Sequence, residues 1–332
     1  MRVLGSALLL SACGGRAVLD QSNPASGGDS ADSDPYRGRI ATFDVASKAI
    51  LIYPPNPASS QAPIARFEPE NQFQDCPDLA LDGQGTVYEL CHRLFTPSEP
   101  NHIDIFAPDA SDAGAPTRKI EGDDTGLSQE VMRVAVDAAG YIYVVQYNDL
   151  LTLGAGSVTV FAPGADGDAL PVRAFTVPAG TGAVPTAIAC DRQGQIFVGY
   201  AFGDPVRVFA ADASGDAEPV RSFGGDSIQF SDVEDLMVDA NGLVYVLSIL
   251  TGQLQLSVYG AGATEGDAPL RTAMLGEYDA ANGEWGIDVD ASGRLFLAGG
   301  TSLQVFSANA SGVPRAILEL GRSTKNAVAI AP

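Results

Sequence analysis

Lysine occurs three times in this 332-residue chain, histidine twice and tryptophan once. Lys and Arg together number 19 against 41 Asp and Glu, for a formal charge of −22 at pH 7. So few cations leave no basic footprint for nucleic acid or for an anionic lipid surface. Two histidines give little scope for a Ser-His-Asp triad or a histidine-rich metal centre. Also missing are a G-x-S-x-G elbow, a P-loop, a dinucleotide fingerprint, HExxH and paired CxxC motifs. No run approaches the roughly 18 consecutive apolar residues of a membrane-spanning helix. Polarity is not in excess either: 45% of the residues are apolar, which excludes a disordered chain. What is plentiful is turn chemistry, with 37 Gly and 21 Pro.

The first residues have their own character. Met1-Arg2 precedes an apolar run, Val3 to Leu10, and then Leu10-Ser11-Ala12-Cys13. A positive start, a short hydrophobic stretch and small residues describe a secretory signal. Leu-Ser-Ala-Cys also resembles the lipobox of bacterial lipoproteins, which implies cleavage before Cys13 and its acylation. Gly14 to Pro35 hold Gly, Ser, Asp, Asn and Pro, the composition of a flexible tether. The expected division is signal peptide 1–12, tether 13–36 and one folded domain 37–332. The resemblance implies a bacterial cell envelope location, held to the membrane by lipid alone. Gly14 stands where Asp is often linked to inner-membrane retention, so the outer membrane or its periplasmic face is favoured.

The remainder is a repeat. A strand ending in D-x-x-G and followed by a second strand occurs five times, with the Asp at 82, 137, 191, 239 and 290. The steps are 55, 54, 48 and 51 residues. Asp opening and Gly closing a tight turn is hairpin chemistry. A third strand ends in an aromatic each time, at Phe106, Phe161, Phe209, Tyr259 and Phe306, and Pro and Arg precede a fourth. Four short strands per period of about 50 residues is the signature of a propeller blade. Ile40–Asp44, Ile50–Tyr53 and Pro63–Phe67 match strands two to four without a first strand, and Ala327–Ile330 matches a first strand without the others. The chain is therefore expected to be all-β, a six-bladed propeller with four antiparallel strands per blade. Its ring would be closed by the C-terminal strand joining the N-terminal blade, which hides the sheet edges.

The segments Leu79-Ala80-Leu81-Asp82 and Val134-Ala135-Val136-Asp137 with Tyr141-Ile142-Tyr143-Val144 resemble NHL-type repeats. More broadly the chain is similar to the six-bladed propellers of the senescence-marker/gluconolactonase group, over roughly Arg39 to Pro332. Such propellers host lactonases, lyases and binding platforms, so the likeness speaks to fold and not to activity. It implies that the first strands line a central channel. Two residues before each turn Asp stand Ala80, Ala135, Ala189, Met237 and Asp288, with Ala329 equivalent. Four residues before it stand Asp78, Arg133, Ala187, Asp235, Gly286 and Asn326, with Glu234 and Trp285 one position further out. Asp78, Arg133, Glu234, Asp235, Trp285, Asp288 and Asn326 are thus candidate ligand-binding residues at a channel mouth. In the resembling lactonases this region holds a divalent cation, and Asp78, Asp235, Asp288 and Asn326 are hard oxygen donors suited to calcium or magnesium. The family's N-terminal Glu ligand has no counterpart between Gly38 and Thr42. The competing expectation is that Arg133 pairs with these acids in a wet channel. No catalytic residue is assigned.

Five further expectations come from the residues. Counting outward from the turn Gly83-Gln84 sets Cys76 opposite Cys91, since both pairs of numbers sum to 167, and export favours a disulfide between them. Cys190 is expected as a buried hydrophobe, and His92 and His102 as solvent-facing loop residues. Arg66, Arg118, Arg173, Arg221, Arg271 and Arg315 are expected to make one repeated contact between neighbouring loops, and Asp166-Gly167-Asp168 a plain turn. The function expected is a monomeric, lipid-anchored binding platform without catalysis or a required cofactor, for an envelope protein, glycan or small ligand. The alternative is a divalent-metal-dependent hydrolase or lactonase with its ion at the channel mouth.

Overall fold

The computed structural model describes residues 35–331 apart from 45–46, 70–74, 93–99, 111–113, 128–129, 148–154, 179–182, 203–204, 225–231, 279–284, 301 and 321–323. The signal segment 1–12, Cys13 and the tether up to residue 34 lie outside the described residues.

Twenty-four strands form six four-stranded sheets, all with antiparallel pairing. The innermost strands are β4 (Asp75–Leu81), β8 (Glu130–Val136), β12 (Pro185–Cys190), β16 (Asp232–Val238), β20 (Gly286–Val289) and β24 (Thr324–Ile330). Each contacts the next in a closed cycle, β24 meeting both β20 and β4. β24 pairs with β1 (Ile40–Asp44), Ile330 opposite Ile40, so the C-terminal strand completes the N-terminal blade. Ring closure is as the repeat count requires.

The apolar residues fall into six clusters, and each spans the wedge between two neighbouring blades. Fully buried aromatics fill the outer ends of the wedges, with ring centroids 4.9 Å apart for Phe67–Phe106, 5.2 Å for Phe175–Phe209 and 4.9 Å for Phe223–Tyr259. A single blade therefore has no core of its own. Its stability comes from being sandwiched, as repeat architectures require.

The five D-x-x-G turns share one hydrogen-bond pattern. Asp82 Oδ1 accepts the N–H of Gln84 and of Thr86, both at 2.9 Å, and Gly85 takes φ +79°. Asp137, Asp191, Asp239 and Asp290 repeat this. A Cβ on Gly85 would also meet Tyr36 at 2.8 Å, so glycine is required there for both backbone and space.

Four of the six recurrent arginines make a shared contact. Arg118 Nη1 donates to the Ala165 carbonyl at 2.8 Å and Arg221 Nη1 to that of Ala263 at 2.8 Å, while Arg173 reaches Ala211 and Arg271 reaches Ala308. Each crosses to the next blade, and three of them lie over an aromatic ring of their own blade: Arg173 on Tyr143, Arg221 on Phe197 and Arg271 on Tyr245. Arg66 and Arg315 do not belong to this series. Strand register puts Ala65 and Leu318 where the others have arginine, because Ile52 pairs with Ala65 and Val305 with Leu318 as Val160 pairs with Arg173. Arg66 instead pairs with Glu68 at 2.7 Å. At those two junctions other arginines cross: Arg294 Nη2 to Asn56 Oδ1 at 2.6 Å, and Arg39 Nη1 to the Pro108 carbonyl at 3.3 Å.

The Asp166-Gly167-Asp168 turn is also a junction. Gly167 forms a parallel bridge to Ile120 of the preceding blade, Asp166 Oδ1 accepts the Lys119 N–H at 3.0 Å, and Asp168 Oδ1 that of Asp124 at 2.8 Å.

Candidate functional site

Asp78, Arg133, Asp235 and Asp288 are all buried at the inner strands, none more than 4% exposed. The innermost strand of each blade has one edge unpaired within its own sheet, so its backbone groups need partners elsewhere. The acids supply them. Asp78 Oδ2 accepts the N–H of Val134 in the next blade at 3.0 Å, and Asp235 Oδ2 that of Ile287 at 2.8 Å. Asp288 Oδ2 accepts the N–H of Ile330 in the closing strand at 2.8 Å. Thr186 Oγ1 serves the opposite group, donating to the Val233 carbonyl at 2.6 Å.

Arg133 reaches across the axis. Its Nη2 donates to the carbonyls of Glu234 at 2.8 Å and Trp285 at 3.1 Å, and its Nε stands 3.9 Å from Asp235 Oδ1. Arg133 thus meets an expected acid, in a buried setting where a wet one was expected. Asn326 lies in β24, but its side chain is outside the described residues. A divalent cation needs several oxygens converging on one point. Here each of the three described carboxylates has an oxygen committed to a backbone N–H and a guanidinium sits beside Asp235, an arrangement that argues against an ion held by Asp78, Asp235 and Asp288.

Trp285, 9% exposed, is the other notable group. A Cβ on Gly299 would come within 2.2 Å of its ring, so the indole lies directly on a glycine backbone. Its Nε1 has no hydrogen-bond partner among the described residues. A buried N–H left so costs about 1–3 kcal/mol, a deficit that a ligand acceptor would relieve.

The histidines depart from expectation. His92 ends β5 (Val87–His92) and His102 begins β6 (His102–Phe106), and both are buried. Strand pairing carries them inward, with Cys91 opposite His102. His102 Nε2 lies 3.5 Å from Asp104 Oδ2 and its Nδ1 3.3 Å from the Pro100 carbonyl oxygen, while His92 Nδ1 lies 3.7 Å from Glu130.

Glu89 in β5 was not foreseen. It is 1% exposed, stands directly opposite Asp104, and neither carboxyl oxygen has a hydrogen-bond partner among the described residues. Burial, with the nearby charge of Asp104 second, pushes its carboxyl up to about 8. The signal was available: strand register aligns Glu89 with Val144, Val198, Val246 and Leu297 in other blades. Beside it Cys76 and Cys91 form a disulfide with S–S 2.04 Å, the pairing read from the sequence. Cys190 is buried, also as expected.

No protein-family model and no curated protein matches the chain. Solved structures do. A protein of unknown function from Bacteroides caccae aligns with TM-score 0.58 at 9% identity, over 88% of this chain and 98% of that one. A protein from Lactobacillus plantarum aligns at TM-score 0.48 and 15% identity, covering 86% and 82%. A luciferin-regenerating enzyme does so at 0.48 and 10%, covering 76% and 78%. What is shared is the propeller. At such identities nothing about activity travels with it.

Proposed function

We propose that this protein is a binding platform, tethered to the bacterial envelope by an acylated Cys13, whose ligand meets the Arg133–Trp285 end of the channel. The observation that carries the reading is the buried Trp285 Nε1, without a hydrogen-bond partner among the described residues, beside the backbone that Arg133 holds. An indole donor set in an apolar surround suits a ligand bearing acceptors, such as a glycan or a carboxylate-bearing small molecule. The ring is closed within a single chain, by β24 pairing with β1, which supports a monomer. The alternative, a metal-dependent lactonase, is disfavoured by the engagement of Asp78, Asp235 and Asp288 with backbone N–H groups.

Trp285 is the sole tryptophan, so its emission reports on this spot alone. A uronic acid, chosen as the probe, is expected to shift that emission saturably in the wild type and more weakly in Arg133→Lys. Melting temperatures in calcium and in EDTA should coincide. A calcium-dependent rise abolished by Asp235→Ala would favour the hydrolase instead.

For the anchor, Cys13→Ser is expected to move the protein from the membrane to the soluble fraction. Unchanged membrane association would refute acylation at this residue. Among the described residues no helix is long and apolar enough to cross a membrane.

A further inference from the structure

The wedge between the first and second blades differs from the other five. Where the matching positions of other blades hold Val144 with Thr159, Val198 with Arg207, Val246 with Ser257 and Leu297 with Gln304, this one contains two acids, Glu89 and Asp104, each with a buried oxygen lacking a hydrogen-bond partner among the described residues. The facing residues of the first blade are apolar, Ala41, Phe43, Ile50 and Ile52 among them. The ionisable neighbours come from the second blade itself: His102, Lys119, whose Nζ lies 3.9 Å from Asp104 Oδ1, and Glu121, 2.9 Å from that Nζ. Within this wedge a Glu89 oxygen and the sulfurs of Cys76 and Cys91 all lie within 4.8 Å of one another. The two cysteines differ in access, Cys91 being 1% exposed and Cys76 only half-buried.

We propose that Cys76–Cys91 is an exchangeable disulfide, opened at Cys76 by a small thiol, with Glu89 as the proton donor to the Cys91 sulfur that leaves. Cys76 is the more exposed of the two residues, so a thiolate attacks there, and its partial burial favours a small thiol over a protein. As the new sulfur–sulfur bond to Cys76 forms, the old one breaks and its electron pair goes to Cys91 Sγ. That sulfur is released into an apolar wedge where a bare thiolate is unfavourable, and the nearest acid is Glu89. Transfer of the Glu89 proton yields a Cys91 thiol and a Glu89 carboxylate, which regains its proton from solvent. A second thiolate then attacks the outer sulfur of the mixed disulfide, leaving as the oxidised disulfide of the small thiol, and Cys76 is protonated by water. The sum is two small thiols oxidised and one protein disulfide reduced. Protonated at neutral pH because of its burial, Glu89 is able to donate; once ionised it is not.

The test uses the full chain and reduced glutathione as the small thiol, with reduction rates measured from pH 6 to 9.5 and divided by the glutathione thiolate concentration. The wild-type quotient is expected to be level below about pH 8 and to fall about tenfold per unit above it. Glu89→Gln should be about tenfold slower at neutral pH and level throughout. Asp104→Asn should retain the bend and move it to lower pH, since the Asp104 charge helps to hold the Glu89 proton. Mass mapping after acid quench should place glutathione on Cys76. Coincident profiles for wild type and Glu89→Gln, glutathione on Cys91, or a disulfide that resists reduction until the protein unfolds would each overturn the proposal. Because Glu89→Gln replaces a buried acid by a near-isostere, folding is retained, and Asp104→Asn supplies an independent variant.

Discussion

Asp288→Ala is expected to lower stability by about 2–4 kcal/mol, seen as a fall in melting temperature of roughly 5–12 °C. Asp288 is fully buried and its carboxylate accepts two backbone N–H groups, from Val289 at 2.7 Å and from Ile330 at 2.8 Å. Alanine leaves the Ile330 N–H facing the axis without an acceptor, and that group belongs to the strand that closes the ring. The loss is thus felt at the one junction where the two ends of the chain meet. Asp288→Asn should recover part of it, since one amide oxygen accepts one N–H but the amide nitrogen cannot accept the other. Asp166→Ala serves as the control. Asp166 also accepts a backbone N–H, but in an exposed loop where water replaces the acceptor, so a change under about 0.5 kcal/mol is expected. Equal effects at Asp288 and Asp166 in thermal and chemical unfolding would show that the axial carboxylates do not staple the ring.

Glu89→Gln should act in the opposite direction. The folded-state carboxyl sits at about 8 against an ordinary value of 4.5, so folding here favours the protonated form. Below the ordinary value the group is protonated in both states and has no effect. As pH rises through the window between 4.5 and about 8 the unfolded chain ionises first, and stability is lost progressively until the folded group ionises too. The penalty is about 3 kcal/mol at pH 7 and at most about 5 kcal/mol above pH 8. Glutamine cannot ionise. Its stability should lie close to the wild type near pH 5 and exceed it by about 4 kcal/mol at pH 8.5. Chemical unfolding at the two pH values measures this directly, and parallel wild-type and variant curves would sink the assignment of a buried, protonated Glu89.

Much of the architecture is legible in the sequence because it rests on local chemistry repeated from blade to blade. The D-x-x-G turns are short-range objects, made by an Asp side chain reaching amides two and four residues on. Alternation along the strands follows from the two-residue period of the pleat. The missing first strand at one end and the surplus strand at the other fix the closure, since an unpaired strand edge is costly.

The disulfide is legible for a different reason than it first seems. Near the turn the true register is Leu81 opposite Val87 and Asp78 opposite Leu90, pairs that sum to 168, not 167. A bulge between Asp75 and Asp78 then adds one residue to β4 and brings Asp75 opposite His92. Cys76 and Cys91 meet because an irregularity in the strand offsets the true register of the turn. Similar shifts interrupt β8, β12 and β16 at the equivalent place, and spacing alone does not reveal them.

Sequence comparison between blades singled out Asp78, Arg133, Asp235, Trp285 and Asp288, and the fold gathers their inner strands around one axis. What those side chains do there was decided only in three dimensions. An Asp looks the same in sequence whether it faces a metal ion or an orphaned N–H of the next blade, and that choice depends on the separation of two strands about 50 residues apart. Arg66 and Arg315 show the same limit, since they match a motif but miss the register that gives Arg118 and Arg221 their contacts. By itself the sequence determined the turns, the strand count and the shortage of cations, all of them properties of neighbours along the chain or of composition. Tertiary structure alone decided which buried polar groups find a partner among the described residues and which, like Glu89 and the Trp285 indole, do not, because hydrogen bonding in a wedge is settled by what the facing blade offers.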